Sequence, residues 1–224
     1  MLTRACKLEE LQYKNLNSHK KILATISALI LFLSFSISSV SIPSANAWSS
    51  AQSNVSVFGG TLNDSGRSIA VDSSGNIYTT GFFRGTADFD PGVGVTNLTA
   101  TGEIDAFVSK LDSTGALIWA KSFGGDDEIY SKSIAVDSSG NVYTAGYFIG
   151  TADFDPGPGT TNLITVSAPS VYNFDVFVSK LDSSGNFIWA KSFGGSLLDY
   201  GNAIAVDSSG SVYTTGYFLS LIHI

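Results

Sequence analysis

Two copies of the phrase Gly-Thr-Ala-Asp-Phe-Asp-Pro-Gly carry the residues of this sequence that are best suited to chemistry. The first copy places carboxylates at Asp88 and Asp90, and the second places them at Asp153 and Asp155. Alternate carboxylates in a loop of glycine and proline are hard oxygen ligands for Ca²⁺, although Ca²⁺ takes about six to eight oxygens and the pattern fixes no further acidic position. The alternative is an acidic turn whose aspartates accept hydrogen bonds from backbone N–H groups. Calcium at these aspartates, the one cofactor that the sequence suggests, is a hypothesis.

The side chains needed for nucleophilic catalysis are missing from the repeated part of the chain. The single cysteine, Cys6, lies near the N-terminus, and His223 lies in an unusual C-terminal segment. Ser-His-Asp and Cys-His arrangements are therefore not available. A pair of carboxylates can hydrolyse a glycosidic bond, but the acidic pairs recur with the repeats, whereas a catalytic site usually breaks repeat symmetry. The few acids outside the repeats include Asp126, Asp127 and Glu128, which we interpret as a solvated loop, and we predict no catalytic residue.

Other recurring residues are interpreted as structural. Aspartates that begin Asp-Ser-Ser-Gly or Asp-Ser-Thr-Gly sequences are expected to cap turns, because a single carboxylate in each turn suits a cap better than a metal; they are Asp72, Asp112, Asp137, Asp182 and Asp207. Recurring aromatic residues are expected in the core or between repeats rather than on a carbohydrate-binding platform; they are Trp119, Trp189, Tyr78, Tyr143 and Tyr213. The Phe-Gly-Gly sequences that begin at Phe58, Phe123 and Phe193 are expected to mark bends between repeats.

The first 47 residues resemble a secretory signal peptide. A lysine- and arginine-containing stretch, residues 1–21, precedes an apolar run over 22–42, and Ala45-Asn46-Ala47 follows as a small-residue cleavage site. The alternative is an uncleaved membrane anchor, since the run approaches the ~20 residues that span a bilayer. We predict cleavage after Ala47, no membrane association thereafter, and an extracellular or cell-surface location.

The charge of the remaining chain limits its partners. Residues 48–224 contain 7 Lys and Arg against 17 Asp and Glu, a net charge of −10. Nucleic acids and anionic membranes require basic surface, so neither is an expected partner. These residues contain no cysteine, which excludes disulfides and thiolate metal sites.

Internal repeats determine the expected fold. The sequences SIAVDSSGNIYTTGFF, SIAVDSSGNVYTAGYF and AIAVDSSGSVYTTGYF begin at Ser68, Ser133 and Ala203, with offsets of 65 and 70 residues. Alternating and β-branched segments separated by Asp-Ser-Ser-Gly turns predict four short strands in each unit. Two hairpins joined by a longer acidic loop are typical of one blade of a β-propeller. We therefore predict an all-β propeller of four-stranded antiparallel blades, with about two and a half blades present.

The phrases DSSGNVYTAGYF and SKLDSSGNFIWAKSFGG resemble the seven-bladed β-propeller repeats (SBBP repeats) of secreted bacterial proteins, and the likeness covers about residues 58–218. The resemblance implies an extracytoplasmic propeller but no single activity. We expect a secreted or cell-surface module with a structural or binding role, such as adhesion or ligand recognition, whose partner is a polysaccharide or another surface protein. The alternative is a fragment of a propeller enzyme that acts on extracellular polysaccharide, with its active residues in missing sequence.

The expected organisation follows from the repeats. After the signal peptide (1–47) we expect an N-terminal outer strand in 48–60, blades over 61–125 and 126–195, and the first hairpin of a third blade over 196–218. The final residues, 219–224, do not fit the repeat, and we interpret them as a non-native tail of a truncated chain.

Overall fold

The computed structural model describes residues 58–166 and 173–219, which all lie within the unit Asn54–Ile224. The predicted signal peptide, most of the predicted N-terminal strand and most of the predicted tail lie outside these residues. Every regular element of the described part is a β-strand, which confirms the all-β prediction. Within the same residues, no helix has the length and apolar character needed to cross a membrane.

The described residues form fifteen strands. In chain order they are β1 (Gly59–Gly60), β2 (Ser65–Val71), β3 (Ile77–Phe83), β4 (Thr86–Asp88), β5 (Asn97–Thr99), β6 (Asp105–Leu111), β7 (Leu117–Gly125), β8 (Ile129–Val136), β9 (Val142–Phe148), β10 (Thr151–Asp153), β11 (Asn162–Ile164), β12 (Asp175–Leu181), β13 (Phe187–Phe193), β14 (Asp199–Val206) and β15 (Val212–Phe218).

Each repeat folds into an antiparallel sheet whose strands follow chain order. Strands β2, β3, β6 and β7 form the first blade, and β8, β9, β12 and β13 form the second. Strands β14 and β15 form the first hairpin of a third repeat. These sheets confirm the prediction of four-stranded blades, because the Asp-Ser-Ser-Gly turns join adjacent strands as expected. Within the described residues, none of the sheets closes on itself.

The acidic loop between the second and third strand of each blade is a short hairpin, which the sequence did not predict. Strands β4 and β5 pair with each other in the first blade, and β10 and β11 pair in the second. Each hairpin also pairs with the Gly-Gly sequence of the preceding repeat, β4 with Gly59–Gly60 and β10 with Gly124–Gly125. The expectation that Phe-Gly-Gly marks a bend is therefore wrong at these two positions, where the glycines are extended and hydrogen-bonded.

Neighbouring blades pack face to face through their first two strands. The backbone N–H of Ile134 on β8 donates to Ser68 Oγ on β2 at 3.4 Å. The same contact recurs one repeat later, where the N–H of Ile204 on β14 donates to Ser133 Oγ at 3.2 Å. Tyr78 of the first blade is fully buried in the cluster of apolar side chains between the blades. The repeats therefore share one regular interface, and the core lies between sheets.

Candidate functional site

The acidic hairpins, residues 86–99 and 151–164, carry the candidate calcium ligands of the two blades. In an antiparallel blade successive connections lie at opposite ends of the strands. Each hairpin connects the second strand to the third, so it lies at the end opposite to the Asp-Ser-Ser-Gly turns. We call this the hairpin end of a blade.

A buried phenylalanine anchors each hairpin to its blade. Phe154 is fully buried, and its ring lies 5.5 Å from the ring of Phe148 and 4.7 Å from that of Phe177. Phe89 occupies the same place in the first blade and lies 4.8 Å from Phe107. Because side chains alternate along an extended segment, burying the phenylalanine of Asp-Phe-Asp turns both flanking aspartates the other way, towards the loop.

The aspartates of the hairpins hold the backbone of the loop. Asp88 Oδ1 accepts hydrogen bonds from the N–H groups of Asp90 at 3.0 Å and Thr96 at 2.8 Å. These bonds, with that from Asp90 the larger cause, lower the pKa of Asp88. Asp90 Oδ1 in turn accepts the N–H of Gly92 at 2.8 Å. The second hairpin repeats the arrangement at Asp153 and Asp155, with the same three distances.

The predicted calcium ligands therefore lie in two separate hairpins, each pair also serving as a backbone cap. Among the described residues, no group of three or more His, Cys, Asp and Glu side chains is arranged to hold a metal ion. A surface depression beside the first hairpin is nevertheless lined by three carboxylates, those of Asp64, Asp88 and Asp90, next to Phe58 and Leu62. Calcium at Asp88, Asp90, Asp153 and Asp155 stays a prediction.

The tips of the two hairpins differ in sequence, while their frames, the hydrogen bonds between aspartate and backbone, are the same. The first tip carries Val93 and Val95, whose exposures are 108% and 71%. The corresponding residues of the second tip are Pro158 and Thr160. Apolar side chains that are fully exposed on a loop held by its own hydrogen bonds are free to contact a partner. The hairpin tips therefore form a variable surface on a repeated scaffold.

Acidic residues also surround the connection between the first and second blades. Arg84 pairs with Glu103 at 2.9 Å. Burial, followed by the negative charges of Glu128, Glu103 and Asp126, raises the pKa of Asp127. The expectation that this stretch is a solvated loop is wrong for Glu128, whose exposure is only 9%. The segment is held in place because the N–H of Ile129 donates to the carbonyl of Ile104 at 2.8 Å, which draws Glu128 into the junction.

At the opposite end of each blade lie the Asp-Ser-Ser-Gly and Asp-Ser-Thr-Gly turns, which are closed by hydrogen bonds to their first aspartate. Asp137 Oδ1 accepts the N–H groups of Ser139 and Asn141, both at 2.9 Å, and its Oδ2 accepts the Tyr143 hydroxyl at 3.1 Å. Burial works to raise the pKa of Asp137, but the bonds from Asn141 and Tyr143 outweigh it and lower the pKa. The same Asp cap recurs in every turn of this type, which confirms the structural interpretation of Asp72, Asp112, Asp137, Asp182 and Asp207.

The recurring tryptophans lie between blades, as predicted. Trp119 Nε1 donates to the carbonyl of Ser183 in the second blade at 3.2 Å, and Lys110 Nζ donates to the same oxygen at 3.1 Å. Tyr78 and Tyr143 are buried, in agreement with the predicted packing role, whereas Tyr213 on β15 is 58% exposed. Tyr213 differs because no other described strand covers its face of β15. The contact of Lys110 and Trp119 with Ser183, called the clasp below, is a feature that the sequence did not predict.

One aspartate begins the third strand of each blade, Asp105 in the first and Asp175 in the second, and both are buried. Asp105 accepts hydrogen bonds from the N–H groups of Thr101 at 2.9 Å and Gly102 at 3.2 Å, and from the Thr101 hydroxyl at 3.3 Å. Burial is the largest influence and raises the pKa of Asp105 in spite of these bonds. Its counterpart in the second blade, Asp175, has fewer donors. The available signal was the position of both aspartates at the first residue of an apolar strand.

Four-stranded antiparallel blades that stack through a repeated interface define a propeller-like repeat protein, a class in which loops carry recognition and sheets carry structure. The family model for this class, SBBP, described as a beta-propeller repeat, matches residues 58–81, 118–151 and 188–217. The chain therefore carries SBBP beta-propeller repeats at three positions, which confirms the family resemblance of its repeats.

Two curated proteins are similar to parts of this chain. An uncharacterized WD repeat-containing protein of Acanthamoeba polyphaga mimivirus is 27% identical over 179 residues, which cover 71% of this chain and 13% of that protein. The regulatory protein FlaEY of Caulobacter vibrioides is 32% identical over 115 residues, which cover 51% of this chain and 12% of that protein. The chain thus spans about an eighth of the length of these relatives. Together with the repeat family, they indicate a structural or binding repeat role.

Proposed function

We propose that this chain is the repeat module of an exported protein, acting outside the cytoplasm or at the cell surface, and that it recognises a partner through the hairpin end of its blades. The leader over residues 1–47 motivates the location. The role is non-catalytic recognition or adhesion rather than bond cleavage.

The difference between the two hairpin tips is the observation that carries the binding role. The frames are held by the same aspartate hydrogen bonds in both blades, so a structural requirement alone would permit the same tip sequence. Instead Val93 and Val95 face solvent in one blade and Pro158 and Thr160 stand at the same places in the next. Repeat proteins commonly place such differences on the surface that binds a partner.

The charge of the hairpin end restricts the chemistry of that partner. Glu103, Asp126 and Asp127 lie near one another, since the N–H of Glu103 donates to the carbonyl of Asp127 at 3.2 Å. Such a surface repels polyanions. A neutral or cationic polysaccharide, or a basic region of another surface protein, is compatible with it, and apolar contact with Val93 and Val95 adds to either. The polysaccharide is the partner that we would test first.

Location and binding are tested separately. Location is tested by expressing the chain with its own leader and following processing by mass spectrometry. Cleavage after Ala47 and recovery outside the cytoplasm are the expected results, and retention of the intact leader in the cytoplasm would remove the exported location. Binding is tested by retention of the purified chain on immobilised neutral and cationic polysaccharides and on basic surface-protein fragments.

A tip exchange provides the matched variant for the binding experiment. Replacing Val93→Pro and Val95→Thr gives the first hairpin the tip of the second, a sequence that already fits this frame. We expect the variant to melt at the same temperature as the wild type and to lose binding by about tenfold, since about 1.4 kcal/mol corresponds to that factor. Unchanged retention of the variant on every ligand that the wild type binds would show that the tips are not the recognition surface.

A further inference from the structure

A second group of polar side chains is enclosed where the second blade meets the pair of strands β14 and β15, which we call the third hairpin. Asn173 and Asp199 are fully buried and Asp175 is 1% exposed. Burying a carboxylate is costly unless its charge is compensated, and here two carboxylates are buried together. We call Asn173, Asp175 and Asp199 the junction cluster.

Two oxygens of the junction cluster have no hydrogen-bond partner. In the described residues only three buried side-chain polar atoms are unpartnered, and two of them are Asp175 Oδ1 and Asn173 Oδ1. Both are acceptors, so neither can satisfy the other when Asp175 is ionised. An unsatisfied buried acceptor is rare in proteins and requires a physical explanation.

The side chains of Asn173 and Asp175 are held close together because both bind the backbone of Val166. The N–H of Val166 donates to Asp175 Oδ2 at 2.9 Å, and Asn173 Nδ2 donates to the carbonyl of Val166 at 3.0 Å. Residues 173 and 175 also lie two apart in an extended segment, so their side chains leave the same face. The Asn173 amide is oriented by two carbonyls, which leaves its own oxygen pointing away from them.

Asp199 reaches the same place from the third hairpin. Asn173 Nδ2 also donates to the carbonyl of Gly195 at 2.7 Å, while the N–H of Gly195 donates to Asp199 Oδ2 at 3.0 Å. The carboxylate of Asp175 lies against Gly194, where any side chain would collide with it. Burial and then the negative charge of Asp199 raise the pKa of Asp175. Three side chains from two repeats thus converge on the Gly194–Gly195 segment.

The equivalent junction between the first and second blades lacks this cluster. There Asp105 accepts three hydrogen bonds, and an exposed Glu103 occupies the position of Asn173. By strand register Ile129, paired with Phe148, occupies the position of Asp199. Both unpartnered oxygens therefore belong to one of these two junctions only. The carboxylate of Asp199 has a counterpart at Asp64 of the first repeat, which accepts the N–H of Gly60 as Asp199 accepts that of Gly195. What distinguishes the junction cluster is that Asn173 and Asp175 stand beside such a carboxylate.

We propose that the junction cluster is a calcium site that joins the third hairpin to the second blade, with Asp175 Oδ1, Asn173 Oδ1 and the carboxylate of Asp199 as its protein ligands. A divalent cation neutralises both buried carboxylates and gives both unpartnered oxygens a partner. All three ligands are hard oxygens, which suit Ca²⁺ and not Zn²⁺. Gly194 leaves room beside Asp175 that any other residue would fill.

The experiment measures thermal unfolding and calcium titration on the purified chain, with calcium added after chelator treatment. Saturating Ca²⁺ is expected to raise the melting temperature by about 5–10 °C, and isothermal titration should detect the binding directly. Asp175→Asn should weaken binding by more than about tenfold. Asp105→Asn, at the fully hydrogen-bonded counterpart, is the matched control and should keep the wild-type calcium response.

Three results would contradict the proposed calcium site. The first is no response of the wild type to Ca²⁺. The second is an equal response in the wild type and in Asp175→Asn. The third is a calcium-independent rise in the stability of the wild type at mildly acidic pH, together with a more stable Asp175→Asn variant, which would show that a proton neutralises Asp175. If Asp105→Asn does not fold, Asp199→Asn titrated against the wild type gives the same test from the second carboxylate.

The calcium measurements also separate this site from the hairpins. Asp153→Asn removes a predicted hairpin ligand and leaves the junction cluster intact, so it should keep the calcium response. Loss of that response in Asp153→Asn, but not in Asp175→Asn, would assign calcium to the hairpins instead. Neither outcome changes the polysaccharide retention experiment, so the two proposals fail independently.

Discussion

The clasp between the first two blades contains a hydrogen bond from Lys110 that can be compared with the equivalent lysine of the next repeat. Lys110 Nζ and Trp119 Nε1 both donate to the carbonyl of Ser183. The Lys110 ammonium also lies 5.1 Å from the ring centre of Tyr78. A hydrogen bond from a charged group contributes about 1.5–3 kcal/mol, and a cation–π contact contributes about 0.5–1 kcal/mol. Lys110→Met removes both interactions but leaves Trp119 bonded to the carbonyl, so we expect the free energy of unfolding to fall by about 2 kcal/mol.

Lys180→Met is the matched control, because Lys180 occupies the same position in the second blade. Its ammonium lies 4.7 Å from the ring centre of Tyr143, so the cation–π contact is conserved between repeats. Within the described residues Lys180 makes no hydrogen bond to a carbonyl of another repeat. We therefore expect Lys180→Met to lose only about 0.5–1 kcal/mol. The difference between the two variants isolates the charged hydrogen bond to Ser183.

Urea unfolding followed by tryptophan fluorescence measures both variants. With a slope of about 1–3 kcal/mol per molar urea, Lys110→Met should unfold roughly 0.7–2 M earlier than the wild type and clearly earlier than Lys180→Met. Equal midpoints for the two variants would refute the reasoning, because they would show that the carbonyl of Ser183 adds nothing to a contact already made with tyrosine.

Three further outcomes follow from the fold. Phe154→Ala should destabilise the protein by about 3–5 kcal/mol in urea unfolding, because it empties a fully buried aromatic site, whereas Val93→Ala on the exposed tip should stay within about 0.5 kcal/mol. Gly146→Ala should cost about 1–3 kcal/mol or more in the same assay, since its Cβ would meet the carbonyl oxygen of Tyr130. Asp207 should titrate near pH 2 in carboxyl ¹³C NMR, because bonds from Ser209 and Ser211 lower its pKa to about 2. The stabilisation that this cap gives is complete above the ordinary pKa of an aspartate and is lost as the pH falls towards 2. Titration of Asp207 near pH 4 would contradict the cap.

The strands and turns of the blades could be predicted because their signals are local. Asp137, Gly140 and Asn141 define a turn within five residues, and the alternating segments on either side fit a half-buried strand. The acidic hairpins could not be predicted as strands. Their strands are only three residues long, and β10 is completed by Gly124 and Gly125 of the preceding blade, a pairing that no local pattern records.

The burial of these polar groups could not be predicted from the sequence either, for a different reason. Three consecutive acids at Asp126, Asp127 and Glu128 indicate solvent, but the backbone pairing of the neighbouring residues buries Glu128. Asp175 and Asp105 both begin strands that end in Phe-Val-Ser-Lys-Leu, so the unpartnered oxygen of Asp175 arises from the loss of donors in space. The aspartates of the hairpins were correctly seen as capable of capping a loop, while their predicted calcium awaits the titration described above.

The pairing of β7 with β10 has a consequence for how the chain folds as it is synthesised. When Gly125 has left the ribosome, the first blade has its four strands, but the last two residues of β7 still lack the strand on their outer side. That strand arrives with residues 151–153, after β8 and β9 have been made. Completion of the first blade is therefore delayed until the first two strands of the second have emerged, which links these blades in time as well as in space. A ribosome that stalled between the two would expose an unpaired edge, the kind of surface on which nascent β proteins associate wrongly.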